Sequence, residues 1–369
     1  MKKYDLIIFG ATGFTGKLIC DYILNHKESK KLKIALAARN KNKLNRLTKK
    51  FNNINPDVLV VDSFNRDSID QMTLSAKLIM TVVGPYSLYG EYLVDSCIKH
   101  GTHYLDLTGE PSFVFNIRKK YQNKDIQSLI INSCGLESII PDVGTLVTIN
   151  QMNSSQKDVT YYLKSNGQIS GGTWASLINA IYSGKPIIEK QKKSSNYKKH
   201  KKIFYNKEFK SWAVLFPVID KYIVTQTGKK MKQYGSNFSF NEYILLKPLW
   251  AVIFLILGLS FINLCSKLNI FKKLLLSLKP SGSGPNESQR NKHWFQAIFV
   301  GEGENERVVT KLSGGDPGYG ETAKFISEIA LCILNQFNQL NKQSGIRTPV
   351  ECTGDLMVKR LKNAGIKFE

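Results

Sequence analysis

Short, nearly uninterrupted apolar runs recur through the first third of the chain, at residues 6–9, 34–38, 58–61, 78–83 and 129–131, with a shorter one at 104–107. Parallel strands covered on both faces lose the in/out alternation of a half-exposed strand, so such runs predict a buried parallel sheet. Helical stretches separate most of them, the first carrying Leu18, Ile19, Tyr22 and Ile23. This alternation predicts an α/β fold with a doubly wound sheet over residues 1–145. Beyond residue 146 the texture changes. Strand character appears at 159–163, 294–300 and 307–312, the last two joined by a loose hairpin, and an amphipathic helix is predicted at 321–334. Gly171-Gly172-Thr173-Trp174 and the glycine-rich stretch 314–320 read as turns that open helices.

Composition narrows the classes. The chain has 369 residues, 42% of them hydrophobic, which excludes disorder as its main state. Fifty-two Lys and Arg against 29 Asp and Glu give a net charge of +23 and ask for an anionic partner: nucleotide phosphate, nucleic acid or lipid headgroups. Six scattered cysteines, with no CxxC pair, fit a reduced intracellular setting. No long apolar segment with a cleavage site follows Met1, so no signal peptide is expected.

The first apolar run leads straight into Gly10-Ala11-Thr12-Gly13-Phe14-Thr15-Gly16 and then a helix. Glycines permit the tight turn and let the backbone approach a pyrophosphate, while N–H groups at the helix start present positive partial charge to it. Placed between strand and helix, the motif predicts dinucleotide binding. The second strand ends in Ala38-Arg39-Asn40, where an NAD site would offer a carboxylate to the ribose. Arg39 can instead fork onto a 2′-phosphate, with Lys43 one helical turn on, so NADP is the expected cofactor. Asp62, after the third strand, is a candidate for the adenine amino group or a loop cap. Gly84-Pro85 fixes the turn after the fourth strand, where nicotinamide chemistry would lie. Tyr86 is the first candidate acid, and Asp106 and Glu137 are candidates to orient it or to donate themselves. Buried structural carboxylates at strand ends are the competing reading of both acids.

The stretches GATGFTG, AARNKNKL, VVGPYSLYGE, YLDLTGEP, CGLESIIPDVGT and the late RTP resemble, in order, the saccharopine dehydrogenase-like oxidoreductases, a family that includes trans-acting enoyl reductases. The resemblance implies an NADP-binding Rossmann-type domain (1–145), an inserted mixed α/β substrate domain (146–340) and a C-terminal segment (341–369) that packs back on the first domain. It also implies association with lipid surfaces in many members. Where such proteins commonly carry Phe-Asp, this chain has Leu136-Glu137, a carboxylate one carbon longer. No Arg pair stands in these loops to clamp the carboxylates of a lysine-pathway substrate.

Two segments bear on partners. Residues 189–210 hold nine lysines and two glutamates among aromatics, which predicts a solvated insertion, then an anionic membrane surface, and nucleic acid last. Residues 248–265 run eighteen positions without a charge and continue into 271–278, where leucines interleave with lysines. A single span would separate the two domains, so a monotopic anchor over 248–279 is expected, with a buried interdomain or homodimer helix as the competing account.

The expectation is an NADP-dependent oxidoreductase, membrane- or lipid-droplet-associated on the cytoplasmic face, that passes hydride to a C=C or C=N bond of a lipid-linked or apolar substrate. No metal-ligand spacing, nucleophilic triad or nucleic-acid motif competes. A soluble saccharopine-type amino-acid dehydrogenase and a non-catalytic NADP-binding lipid-surface protein are the alternatives.

Overall fold

The computed structural model describes residues 2–51, 54–168, 171–182, 201–216, 219–265, 269–279 and 284–369. Six strands alternate with helices at the start: β1 (Tyr4–Phe9), α1 (Phe14–Asn25), β2 (Ile34–Ala38), α2 (Lys41–Thr48), β3 (Asp57–Val60), α3 (Arg66–Ser75), β4 (Ala76–Thr81), α4 (Tyr86–Lys99), β5 (His103–Asp106), α5 (Pro111–Tyr121) and β6 (Leu129–Ile131). Together with β13 (Gly345–Arg347) they form one seven-stranded sheet A in the order β13-β6-β5-β4-β1-β2-β3, parallel throughout. The order reverses between β1 and β4, which opens a crevice beyond their carboxyl ends.

Alternate residues of each strand feed opposite cores. Leu6, Ile8, Leu36 and Met80 pack with Ile19 and Ile23 of α1, whereas Ile7, Phe9, Ala35 and Ile79 pack with Ile69, Leu93 and Val114 of α3, α4 and α5. Both faces are apolar because both are covered, which is why the sequence shows runs instead of alternation.

A long helix, α6 (Leu136–Ile149), carries the chain out of sheet A. The second layer then runs β7 (Gln156–Ser165), α7 (Gly171–Tyr182), β8 (Ile203–Asn206), β9 (Ser211–Leu215), α8 (Ile219–Lys230), β10 (Asn237–Leu246), α9 (Leu249–Cys265), α10 (Asn269–Leu278), α11 (Glu287–Arg290), β11 (Phe295–Glu302) and β12 (Arg307–Gly314). The chain ends with α12 (Gly320–Asn335), β13, α13 (Pro349–Thr353), α14 (Asp355–Asn363) and β14 (Lys367–Phe368). Sheet B is mixed, ordered β14-β12-β11-β7-β10-β9-β8, with β7 and β10 as its parallel pair. One face of sheet B, carrying Val159, Tyr161, Phe240 and Phe299, shares a core with Val143 and Leu146 of α6 and Val224 of α8.

Two details differ from the sequence-based boundaries. Helix α12, assigned to the second domain by its position before residue 340, packs on α1 through Phe325, Ile326 and Ile329 in the core of sheet A. The C-terminal segment divides between the sheets: β13 extends sheet A beside β6, whereas β14 pairs with β12 of sheet B. Of the lysine-rich stretch 189–210, residues 189–200 lie outside the described residues, and the rest enters the β8–β9 edge hairpin, whose Phe204 packs on sheet B. All six cysteines are buried and free.

Candidate functional site

The glycine loop is built by close approach. Gly10 has a φ of +92°, and a Cβ there would lie 2.9 Å from Val82 Cγ2 of the neighbouring strand end. On Gly16 a Cβ would run into the Gly10 carbonyl and lie 2.9 Å from Ala11 Cα, so only glycine lets α1 start this near β1. The turn closes through Gly13 N–H donating to Gly10 O at 3.0 Å. Gly13 caps α1 without a side-chain hydrogen bond, and no acid stands in the first turn. The N–H groups of Phe14, Thr15 and Gly16 therefore open toward the crevice beside Thr12, a cradle for pyrophosphate. Phe14 closes one side, its ring 4.7 Å from Tyr319 and under the Arg290 guanidinium at 5.7 Å.

Arg39 follows β2 directly and is exposed, as is Lys43 in the first turn of α2. Neither enters an ion pair among the described residues. Asn40 caps α2 by accepting Lys43 N–H at 2.9 Å, so Arg39 and Lys43 stand together at the carboxyl end of β2, where a 2′-phosphate would sit. Asp62 is exposed and accepts Phe64 N–H at 3.1 Å, the loop-cap arrangement. Gly84 and Pro85 join by a cis peptide and lead into α4 on the far side of the crevice.

Tyr86, the first candidate acid, has its hydroxyl engaged within the fold. The side chain is buried, and its hydroxyl donates to Thr81 O at 3.3 Å and accepts Leu107 N–H at 3.2 Å. Burial, with Asp106 beside it, holds the phenol far above its ordinary pKa range. The hydroxyl thus braces two strand ends through its own two hydrogen bonds.

Asp106 is likewise enclosed. Its carboxylate accepts from Tyr104 Oη at 2.9 Å, Thr108 N–H at 3.0 Å, Asn132 Nδ2 at 2.7 Å and Ser133 N–H at 2.8 Å. Burial pushes its pKa up to about 6 against the pull of those four donors. Four donors on one carboxylate fix the loops after β5 and β6, which is the structural reading of this acid.

Glu137 lies apart from that pair, half-buried in the first turn of α6, with its carboxyl folded over Gly135. Burial raises its pKa. The structure thus sets Tyr86 beside Asp106 and places the Glu137 carboxyl over Gly109 and Gly135, in the loops that follow β5 and β6.

The residues that sequence reasoning passed over act through space. Glu110 accepts Tyr86 N–H at 2.8 Å and Ser87 N–H at 3.1 Å, so one loop's carboxylate caps another loop's helix. Its place just before Pro111 was the available signal. Tyr319 accepts Gly171 N–H at 3.3 Å, tying the start of α7 to the Phe14 side of the glycine loop.

Comparison with known proteins bears on the N-terminal domain and on the chain as a whole. Residues 6–129 match the family model described as saccharopine dehydrogenase NADP binding domain. Over its whole length the chain is 29% identical to a saccharopine dehydrogenase-like oxidoreductase of Rattus norvegicus, covering 97% of that protein. It is 24% identical to a lipid droplet localized protein of Caenorhabditis elegans, covering 98% of it. Apo saccharopine dehydrogenase (L-Glu forming) from Saccharomyces cerevisiae superposes with a TM-score of 0.57 at 11% identity over 99% of both chains, a likeness of fold. The glycine cradle and the cationic end of β2 suit NADP, the cofactor of the matched domain. The N-terminal domain matches a saccharopine dehydrogenase-type NADP-binding domain, and along its whole length the chain is similar to the saccharopine dehydrogenase-like oxidoreductases.

Proposed function

We propose that the protein is an NADPH-dependent reductase that passes hydride to a C=C or C=N bond of an apolar or lipid-linked substrate while docked on a lipid surface through α9 and α10. NADPH supplies the hydride; the glycine loop, Arg39 and Lys43 hold its phosphates and so orient the reactive ring over β4 to β6.

The observation that carries the lipid part is the surface of α9 and α10. Trp250 is 64% exposed, Phe254 69%, Leu264 71% and, on α10, Leu278 68%. Val252, Ile262 and Cys265 are the buried residues of α9, so most of a charge-free helix faces outward. The pair is nonetheless held in place: Trp174 Nε1 of α7 donates to Leu275 O at 2.6 Å, and Tyr182 Oη donates to Cys265 O at 3.0 Å. Side chains of this size gain about 1.5–3 kcal/mol each on leaving water, so several together favour insertion into an acyl layer. Exposed Lys247 and Lys273 lie at the polar rim, suited to anionic headgroups.

Among the described residues no helix is long and apolar enough to cross a membrane, which fits a helix lying in one leaflet or monolayer. The lipid droplet name of the nematode relative points the same way. Flotation with vesicles containing anionic lipid tests the docking. Wild type should float, and a variant with Trp250, Phe254, Leu257 and Phe261 changed to Ser should stay at the bottom with its NADPH affinity intact. Equal flotation of the two would overturn the reading.

A further inference from the structure

Three carboxyl groups from separate parts of the chain meet at the junction of α6, α8 and sheet B, beyond the carboxyl end of β6. Glu137 stands in the first turn of α6, with Oε2 3.0 Å from where a Cβ on Gly135 would be. Asp220 stands in the first turn of α8 and faces Ser138, Glu137 and Glu242. Glu242, on β10, is the register partner of Tyr161 on β7. Tyr161 stacks on Phe240 and Phe299, which places it on the sheet face that packs against α6 and α8. Its phenol feels all three acids.

A chain with 52 basic and 29 acidic residues has ample cations to pair with its acids, yet it buries Asp220 and Glu242 near one another with half-buried Glu137 beside them. Lys221 faces Glu242 and Asp158 and donates to Asn241 Oδ1 at 3.0 Å, so one cation serves the outer end of the group. Asp220 is 4% exposed, and its Oδ1 has no hydrogen-bond partner among the described residues. An ionised carboxylate would not persist so placed, and like charges in contact cannot all ionise. Burial first, then Glu242 and Glu137, hold Asp220 well above the ordinary carboxylate range.

We propose that Glu137, Asp220 and Glu242 form one unit that stores a proton and delivers it to the substrate when hydride is transferred. The inference rests on the reductase reading of the preceding section. When a hydride forms a new C–H bond at one end of a C=C or C=N bond, the π pair moves to the neighbouring atom. That atom takes the proton, and the unit is left with one more carboxylate, which regains its proton from water. With Tyr86 turned inward, this group fills the acid's role.

The test needs no substrate. Infrared spectra should show, beside the band of Asp142, a protonated-carboxyl C=O stretch at pH 7 that is lost in Asp220→Asn and that disappears at lower pH in Glu242→Gln than in the wild type, because burial holds the proton on Asp220 and the neighbouring carboxyl adds to that hold. Each variant should bind NADPH like the wild type and should melt no lower at pH 8. Spectra in which Asp220→Asn keeps every protonated-carboxyl band of the wild type, or in which Glu242→Gln titrates as the wild type does, would overturn the proposal. So would a lower melting temperature for both at pH 8, which is the mark of a purely structural role. Loss of the band with no hydride transfer to any lipid would leave proton storage standing and remove the reductase reading instead.

Discussion

Glu110 holds the start of α4 by accepting the Tyr86 amide at 2.8 Å, so the loop after β5 sets the conformation of the loop after β4. The same carboxylate takes the Ser87 amide, which satisfies two N–H groups that no intrahelical carbonyl can reach. Glu110→Ala should therefore cost about 1–2 kcal/mol of stability, read by urea unfolding, because a charged cap is lost and the donors are left in a largely buried site. An unfolding midpoint equal to wild type would show that water replaces the cap.

Tyr86→Phe separates a brace from an acid. With the hydroxyl held between Thr81 O and Leu107 N–H, removing it should lower stability by about 1 kcal/mol and leave turnover close to wild type. A loss of turnover far larger than the loss of stability would return the proton to Tyr86.

Cofactor choice should reside in Arg39. Arg39→Ala removes a fork to the 2′-phosphate worth about 1.5–3 kcal/mol, so NADPH affinity should fall roughly 10- to 100-fold by titration calorimetry, with NADH affinity little changed. Equal losses for the two nucleotides would mean that Arg39 acts on the ribose or adenine alone.

Stability should decline as the pH rises from weakly acidic to neutral. Asp142 is fully buried, accepts Val350 N–H at 3.0 Å, and has its pKa pushed up to about 7 by burial. A carboxyl raised in the folded state gives stability that is full below its unfolded pKa, about 4, and lost as the pH climbs through about 7, a change of a few kcal/mol. Asp142→Asn keeps an acceptor for Val350 and should flatten this decline, raising the melting temperature at pH 8 more than at pH 5. A greater gain at pH 5 would contradict the assignment.

Much of this architecture is legible along the chain, for reasons visible in particular residues. The strands of sheet A are buried on both faces, so Ile7 and Ile8 are both apolar and the run announces itself. The glycine loop is legible because its geometry depends on close approach at Gly10 and Gly16, which only one residue type allows. Strand β10 escaped notice because Asn241 and Glu242 interrupt its alternation, and β13 because three residues carry no pattern. The brace of Tyr86 and Asp106 and the cap of Glu110 are contacts between loops some 20 residues apart. The grouping joins Glu137 to Asp220 and Glu242, both more than 80 residues further on, and only the packing of α8 on α6 and β10 brings them together.

Reaction with NADPH carrying deuterium at the transferring C4 position, in the presence of vesicles made from a total lipid extract, tests the central claim most directly. The account predicts deuterium bound to carbon in an organic-extractable product, in wild type and not in a glycine-loop variant such as Gly16→Ala. Deuterium confined to water-soluble products, or none transferred by protein that binds NADPH and floats with the vesicles, would contradict it.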